Sequence, residues 1–376
     1  MEHKKIVFLT GTRADFGKIK PLINIVESNQ SFEAYIFVTG MHMMEDYGYT
    51  LIEVQRCGFK NIATFHNHTD EATMDLTLAK TIEGFSAYVK NIKPDLIVVH
   101  GDRVEALAGA IVGSLNNILV SHIEGGELSG TIDELIRHSV SKLSHIHYTS
   151  NNEAKKRLLQ MGEIPESIYT IGSPDIDVMV SDNLPDIDTV KAYYEIPYKS
   201  YAIAMYHPVT TEVETIKEDA FQFVKALKES GKNYVVIYPN NDLGSKTILE
   251  AYSELKDDNK FRIFPSIRFE YFLTLLEHSE FIIGNSSAGI REAPYYGIPT
   301  INIGSRQRNR AQLPSVINCD CLAGYIIEII KNIENCDLNK VQIFGYGDSA
   351  TLFIESLESK EFWSVDHQKQ FKDIND

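Results

Sequence analysis

From end to end the chain alternates short runs of β-branched and aromatic residues with longer amphipathic segments, the pattern of strands feeding crossover helices in parallel sheets. In the first half the strand-like runs fall near 5–10, 34–39, 95–100, 117–123, 146–150 and 167–172. Helices fill most of the gaps, and Asp133 to Leu143 and Ala154 to Met161 carry apolar residues at helical spacing. After Asp182-Asn-Leu-Pro185 the pattern restarts, with strands near 201–206, 234–238, 261–264, 280–284 and 300–303 and helices near 218–230, 245–256, 268–278 and 288–296. A chain of 376 residues is too long for one ordinary core, so the restart marks a second α/β domain. The expected division is 1–184, 185–349 and a helical segment 350–376 that arrives after the second sheet is complete and packs back on the first domain. Leu184 to Asp188, with a proline and acidic residues, is the linker candidate.

Composition narrows the partners. A net charge of -16 argues against a nucleic-acid or anionic-membrane surface while leaving room for a local anion pocket. Four cysteines, Cys57, Cys319, Cys321 and Cys336, form no CxxC pair, which predicts a reduced, cytoplasmic protein. The charged start runs straight into Ile6-Val-Phe-Leu-Thr10, without the apolar stretch of a signal peptide or membrane span.

Phe281-Ile-Ile-Gly-Asn-Ser-Ser-Ala-Gly-Ile-Arg-Glu292 reads as a strand entering a helix. Helix starts leave amide N–H groups unpaired, and Ser286 and Ser287 beside glycines suit a diphosphate; the alternative is that the serines only cap the helix. Glu292 has two acceptor oxygens spaced for the vicinal hydroxyls of a ribose. Tyr206-His207-Pro and Tyr238-Pro-Asn240 sit at strand ends, where open α/β sheets bind ligands, and His207 could donate to a phosphate. Thr10-Gly-Thr-Arg13 offers a cation beside a helix start, although the loop lacks a Walker lysine and G-x-G-x-x-G, so a tight structural turn is its alternative. His42 follows Thr39-Gly40 at another strand end and could line a cleft, with the neighbouring methionines as core filler.

Chemistry is expected at the next two strand ends. His100-Gly-Asp102-Arg103 closes one strand, His122-Ile-Glu124-Gly-Gly closes another, and Asp133 opens the following helix, which also presents Arg137 and His138. Asp102, Glu124 and Asp133 are thereby delivered to one rim, where crowding and desolvation can separate their pKa values and supply an acid and a base. For Asp133 taken singly, an N-cap is the alternative. His100, Asp102, His122 and Glu124 include metal-ligand types, but no H-E-x-x-H or comparable spacing is present and no metal is expected. His66, His68, His145 and His147 read as structural.

With these residues assembled, the chain resembles the hydrolysing UDP-N-acetylglucosamine 2-epimerases over essentially its whole length. The segments that carry the resemblance include GTRADFGKIKPL at 11–22, HGDRVEALAGA at 100–110, HIEGGELSGTIDELIRHSVSKLSHIH at 122–147, HPVTTE at 207–212, YPNNDLGS at 238–245 and GNSSAGIREAPYYGIP at 284–299. The resemblance implies two doubly wound Rossmann-like domains facing a central cleft, a glycosyltransferase-B-like α/β fold, with UDP held mainly by the second. It implies Asp102, Glu124 and Asp133 as catalytic acids with His207 near the diphosphate. It implies Asn240, Ser286, Ser287, Glu292 and Arg306 as nucleotide contacts, with Arg13, His42 and Arg103 completing the substrate site. The implied reaction eliminates UDP from UDP-N-acetylglucosamine to give a 2-acetamidoglucal and then adds water with inversion at C2, releasing N-acetylmannosamine for sialic-acid synthesis without a cofactor. Non-hydrolysing relatives carry an alanine-arginine version of the loop that here reads His122-Ile-Glu-Gly-Gly-Glu127, which favours hydrolysis. The same chemistry on a UDP-2,4-diacetamido-6-deoxy sugar and a glycosyltransferase on the same scaffold remain as alternatives. The Lys142 to His147 run and the resemblance both point to a homodimer or homotetramer.

Overall fold

The computed structural model describes residues 3–68, 73–307, 310, 313–336 and 339–373. The chain divides into two compact units, the first comprising Met1–Glu127, Asp133–Ser181 and Ile343–Asp376 and the second Leu128–Ile132 and Asp182–Gln342. The second unit begins at Asp182 rather than at 185, and two crossings differ from the sequence division: the chain leaves the second unit at Ile343 rather than Ala350, and Leu128–Ile132 belongs to the second unit. Neither crossing has a periodicity to betray it. Each is set by hydrogen bonds, Ser173 N–H to the Phe344 carbonyl at 2.6 Å and Gly130 N–H to the Arg306 carbonyl at 3.0 Å.

The first unit is built on seven parallel strands, β1 (Lys4–Thr10), β2 (Phe32–Val38), β3 (Ile62–Thr64), β4 (Leu96–His100), β5 (Leu119–Ile123), β6 (Ile146–Thr149) and β7 (Ile168–Thr170), in the order β3-β2-β1-β4-β5-β6-β7. Ile6, Val7, Phe8, Ile97 and Val99 are all buried, as strands covered on both faces require. The second unit has six, β8 (Ala202–Met205), β9 (Tyr234–Ile237), β10 (Phe261–Phe264), β11 (Ile282–Gly284), β12 (Thr300–Ile303) and β13 (Val316–Cys319), in the order β10-β9-β8-β11-β12-β13, again all parallel. Both orders run outward in two directions from the first strand of the unit, which is the doubly wound Rossmann arrangement, and each has its own apolar core. The direction of winding reverses between β1 and β4 in one unit and between β8 and β11 in the other. Ligands of such sheets bind outside the carboxyl ends of strands at that reversal.

Every run expected as a strand is one. Among the described residues only the edge strands β3 and β13 went unread, because each is short and partly exposed and so shows neither alternation nor an apolar run. The C-terminal helix Ser349–Glu358 lies on the first unit: Phe353 sits between the rings of Phe8 and Tyr148, at 6.4 and 5.0 Å, and the Asp177 carboxylate accepts from the Ser349 and Ala350 amides at 3.0 and 2.7 Å. Beyond it, Lys369 Nζ donates to the carbonyls of Ser141, Lys142 and Ser144, capping the last turn of the helix Ile132–Leu143 with a cation. Among the described residues no helix is long and apolar enough to cross a membrane.

Candidate functional site

In the first unit the ends of β4 and β5 are level, His100 facing Ile123 in the register, so Asp102 and Glu124 emerge at the same rim. Glu124 is the better held. Its N–H donates to the Tyr148 carbonyl at 2.9 Å, its carbonyl accepts from Arg137 Nη1 at 2.7 Å, and its carboxylate accepts from Ser173 Oγ at 2.7 Å. His100 Nε2 lies 3.4 Å and Lys18 Nζ 3.8 Å from the same carboxylate. Glu124 also has φ of +65°, a left-handed conformation that costs a non-glycine residue about 1 kcal/mol or more. A strained, buried carboxylate tied down from several elements is the sort of group a site over-determines.

Arg137 links the acids. From the helix Ile132–Leu143 its Nη2 pairs with the Asp102 carboxylate while Nη1 holds the Glu124 carbonyl, and the side chain is fully buried. Asp133 stands four residues before Arg137, one turn up the same helix face and inside the first turn. Lys18, from the helix Arg13–Ser28, reaches the fully buried Asp175 at 3.1 Å. Two buried cations thus face the carboxylates of Asp102, Glu124 and Asp175, an arrangement in which a proton can be held and passed on. Lys18, Ser173 and Asp175 were not anticipated. The signal for the last two was their place in Gly-Ser-Pro-Asp directly after a strand end, which the strand-end rule covers.

Three other expected contacts are engaged with the protein itself. At the start of the helix Arg13–Ser28, Thr12 caps the Asp15 amide and the Asp15 carboxylate accepts from the Gly11 and Thr12 amides, both at 3.0 Å, so these loop amides already have an anion. The Arg13 guanidinium lies 3.9 Å from Glu53. Arg103 Nε donates to the buried Glu105 at 3.4 Å. His42 does not line a surface: it is fully buried, with its ring nitrogens 3.0 Å from Thr10 Oγ and 2.7 Å from Thr50 Oγ. Its enclosure by Thr10 and Thr50 could not be read from a position flanked by methionines.

Burial holds His42 neutral, lowering its pKa from 6.5 to about 4 against the opposing charge of Asp15. His122, whose ring bonds the Gly101 carbonyl and Ser141 Oγ, is lowered by burial to about 3. Both folded values lie below the unfolded one, so the stability these rings contribute is complete above pH 6.5 and is lost as pH falls toward 4 and 3. The urea midpoint is therefore expected to fall between about pH 7.5 and about pH 5, with each ring accounting for roughly 2 kcal/mol. His122→Gln should flatten the slope, and a midpoint that does not move over this range would contradict the assignment.

In the second unit the polar residues gather where β8 and β11 part. Gly284 ends β11 at φ +132°, and a Cβ there would lie 1.9 Å from the Met205 carbonyl, so only glycine lets the two strand ends approach. Asn285 follows. Its side chain accepts from the His207 N–H at 2.6 Å and donates to the His207 carbonyl at 2.8 Å. Its own carbonyl accepts from Arg306 Nη1 at 3.2 Å and Gln307 Nε2 at 3.0 Å. The Asn240 N–H donates to His207 Nδ1 at 3.0 Å. Asn285, which sequence reasoning passed over, thereby joins His207, Asn240 and Arg306.

The serines sit differently from expectation. The helix expected over 288–296 is a 3₁₀ turn, Ser287–Gly289, followed by a separate short helix, Glu292–Tyr296. Pro294 explains the break, since it has no N–H and its ring clashes with the carbonyl four residues back, confining it to a first turn. Ser286 Oγ caps the 3₁₀ turn, accepting from the Ala288 amide at 3.3 Å, and Glu292 opens the following helix, almost wholly buried.

Two doubly wound units with polar residues at the reversal of each sheet define an α/β protein of the nucleotide-binding Rossmann class. A family model described as UDP-N-acetylglucosamine 2-epimerase matches residues 24–358. A UDP-N-acetylglucosamine 2-epimerase of Neisseria meningitidis serogroup B is 50% identical over 99% of this chain and 100% of its own length. The hydrolysing UDP-N,N'-diacetylbacillosamine 2-epimerase of Legionella pneumophila is 33% identical over 93% of each. A crystal structure of the Methanocaldococcus jannaschii UDP-GlcNAc 2-epimerase in complex with UDP-GlcNAc and UDP superposes with a TM-score of 0.80 over 94% of this chain and 99% of that one, a likeness of fold at 23% identity. The chain belongs to the UDP-N-acetylglucosamine 2-epimerase family.

Proposed function

We propose that this protein is a hydrolysing UDP-N-acetylglucosamine 2-epimerase, converting UDP-N-acetylglucosamine and water to N-acetylmannosamine and UDP as the first step of sialic-acid synthesis. The observation that carries the reading is the cluster in which the buried cations Lys18 and Arg137 face the carboxylates of Asp102, Glu124 and Asp175, with Asp133 one turn from Arg137, in a chain half identical to a UDP-N-acetylglucosamine 2-epimerase. In the elimination a carboxylate takes the C2 proton, the C1–O bond to the diphosphate breaks, and UDP leaves with that electron pair. The resulting 2-acetamidoglucal then takes water at C1 and a proton at C2 on the opposite face, which balances the reaction and inverts C2. Asp102, Glu124 and Asp133 supply these proton transfers. His207, Asn240, Ser286, Ser287, Glu292 and Arg306 are the nucleotide contacts; Arg306 offsets the charge of the departing diphosphate and His207 donates a hydrogen bond to it.

A second substrate is favoured by one observation, the 33% identity to an enzyme named for diacetylbacillosamine. The greater identity to the acetylglucosamine enzyme places UDP-N-acetylglucosamine first. Incubation with each UDP-sugar in deuterated water is expected to release N-acetylmannosamine from UDP-N-acetylglucosamine, carrying one solvent deuteron at C2. Product without label would remove the elimination route, and turnover of the diacetamido sugar alone would reassign the substrate.

A further inference from the structure

Asn285 bonds both His207 and Arg306 of the second unit's polar cluster and has been assigned no role above. Its side-chain amide forms a two-way clamp on the His207 peptide, Oδ1 accepting at 2.6 Å and Nδ2 donating at 2.8 Å, so both ends of the amide are used. Its backbone N–H donates to the Met205 carbonyl at 3.0 Å, prolonging the β8–β11 ladder by one bond, and its carbonyl receives Arg306. Asn285 is 1% exposed and cannot reorient without abandoning these partners. The His207 ring is fixed separately. The Asn240 N–H donates to Nδ1 at 3.0 Å, so Nδ1 must be an acceptor and the ring proton resides on Nε2. An imidazolium, with N–H on both nitrogens, could not accept this bond.

We propose that Asn285 is a positioning residue that sets His207 and Arg306 together as anion donors, with His207 held by the Asn240 amide as a neutral ring donating from Nε2. This rests on the nucleotide reading of the second unit and specifies how it works. A diphosphate oxygen meets an N–H whose direction is settled before binding, and Arg306 supplies the positive charge. Because the donors are fixed in advance, little ordering remains to be done when the anion arrives.

The test is ¹⁵N NMR of the full chain labelled at histidine, with His207→Gln used to assign the His207 signals. At neutral pH the wild-type ring is expected to show a protonated Nε2 and an unprotonated Nδ1, and Nε2 is expected to shift when UDP is added. Asn285→Ala and the isosteric Asn285→Asp, which sets an oxygen against the His207 carbonyl, are expected to lose the single tautomer and to weaken UDP binding at least tenfold. A proton on Nδ1 in the wild type, an Nε2 signal indifferent to bound UDP, or a folded Asn285→Asp with wild-type tautomer and affinity would each overturn the proposal. Should Asn285→Ala fail to fold, the isosteric Asn285→Asp together with the wild-type spectra decides. Wild-type protein that does not bind UDP at all would instead undo the nucleotide reading, whatever tautomer His207 shows.

Discussion

Glu124→Gln is expected to lower turnover by roughly a thousandfold or more while UDP binds as before, the loss typical of removing a proton-transfer group. The substitution keeps the shape of the side chain and an oxygen to accept from Ser173, so the packing should survive. What it removes is the proton-accepting oxygen and the charge that faces His100 at 3.4 Å and Lys18 at 3.8 Å. Asp102→Asn should act in the same direction, with Arg137 keeping one hydrogen-bonded partner in place of an ion pair. UDP affinity is the control, because the proposed nucleotide contacts His207, Asn240, Ser286, Ser287, Glu292 and Arg306 all belong to the second unit. Steady-state turnover together with calorimetric titration of UDP separates the two effects. Wild-type turnover in Glu124→Gln would refute the assignment of the acid, and loss of UDP affinity alone would mark Glu124 as a binding group.

The largest effect on stability is expected at Arg137. Its guanidinium is buried between the Asp102 carboxylate and the Glu124 carbonyl, and Arg137→Met leaves both without that partner. Breaking a buried pair from one side costs about 3–5 kcal/mol, since the remaining charge has lost its compensation. Asp102 retains some exposure, which places the expected loss near the lower end of that range. Urea unfolding of Arg137→Met, Asp102→Asn and the double variant measures the coupling directly, and the double variant should recover part of the loss. A destabilisation under about 1 kcal/mol for Arg137→Met would show that the pair does not organise the cluster.

Much of this was legible because strand ends are legible. Asp102, Glu124, His207 and Asn240 each follow an apolar run closely, and a doubly wound sheet sends such residues to one edge whatever the details of packing. His42 satisfies the same rule and yet is enclosed, since two threonines from separate segments close over its ring. The rule places the backbone and does not say which side chains are covered. Lys18 and Asp175 were missed for the converse reason. A lysine in a helix reads as solvated, and only the approach of the helix Arg13–Ser28 to the helix Pro174–Met179 turns it into one side of a buried pair.

The sequence by itself determined the alternation of strands and helices, the restart that makes two sheets and the strand ends that Asp102, Glu124, His207 and Asn240 follow, because period, turn chemistry and chain order are local properties. Tertiary structure alone decided that Arg137 bridges Asp102 to Glu124, that Asn285 grips His207 across 78 residues of chain, and that Lys369 closes the helix carrying Asp133. Those pairings unite residues with no spacing in common. They form because a buried charge or amide must find a partner, and which partner lies within reach is settled only when the sheets are assembled.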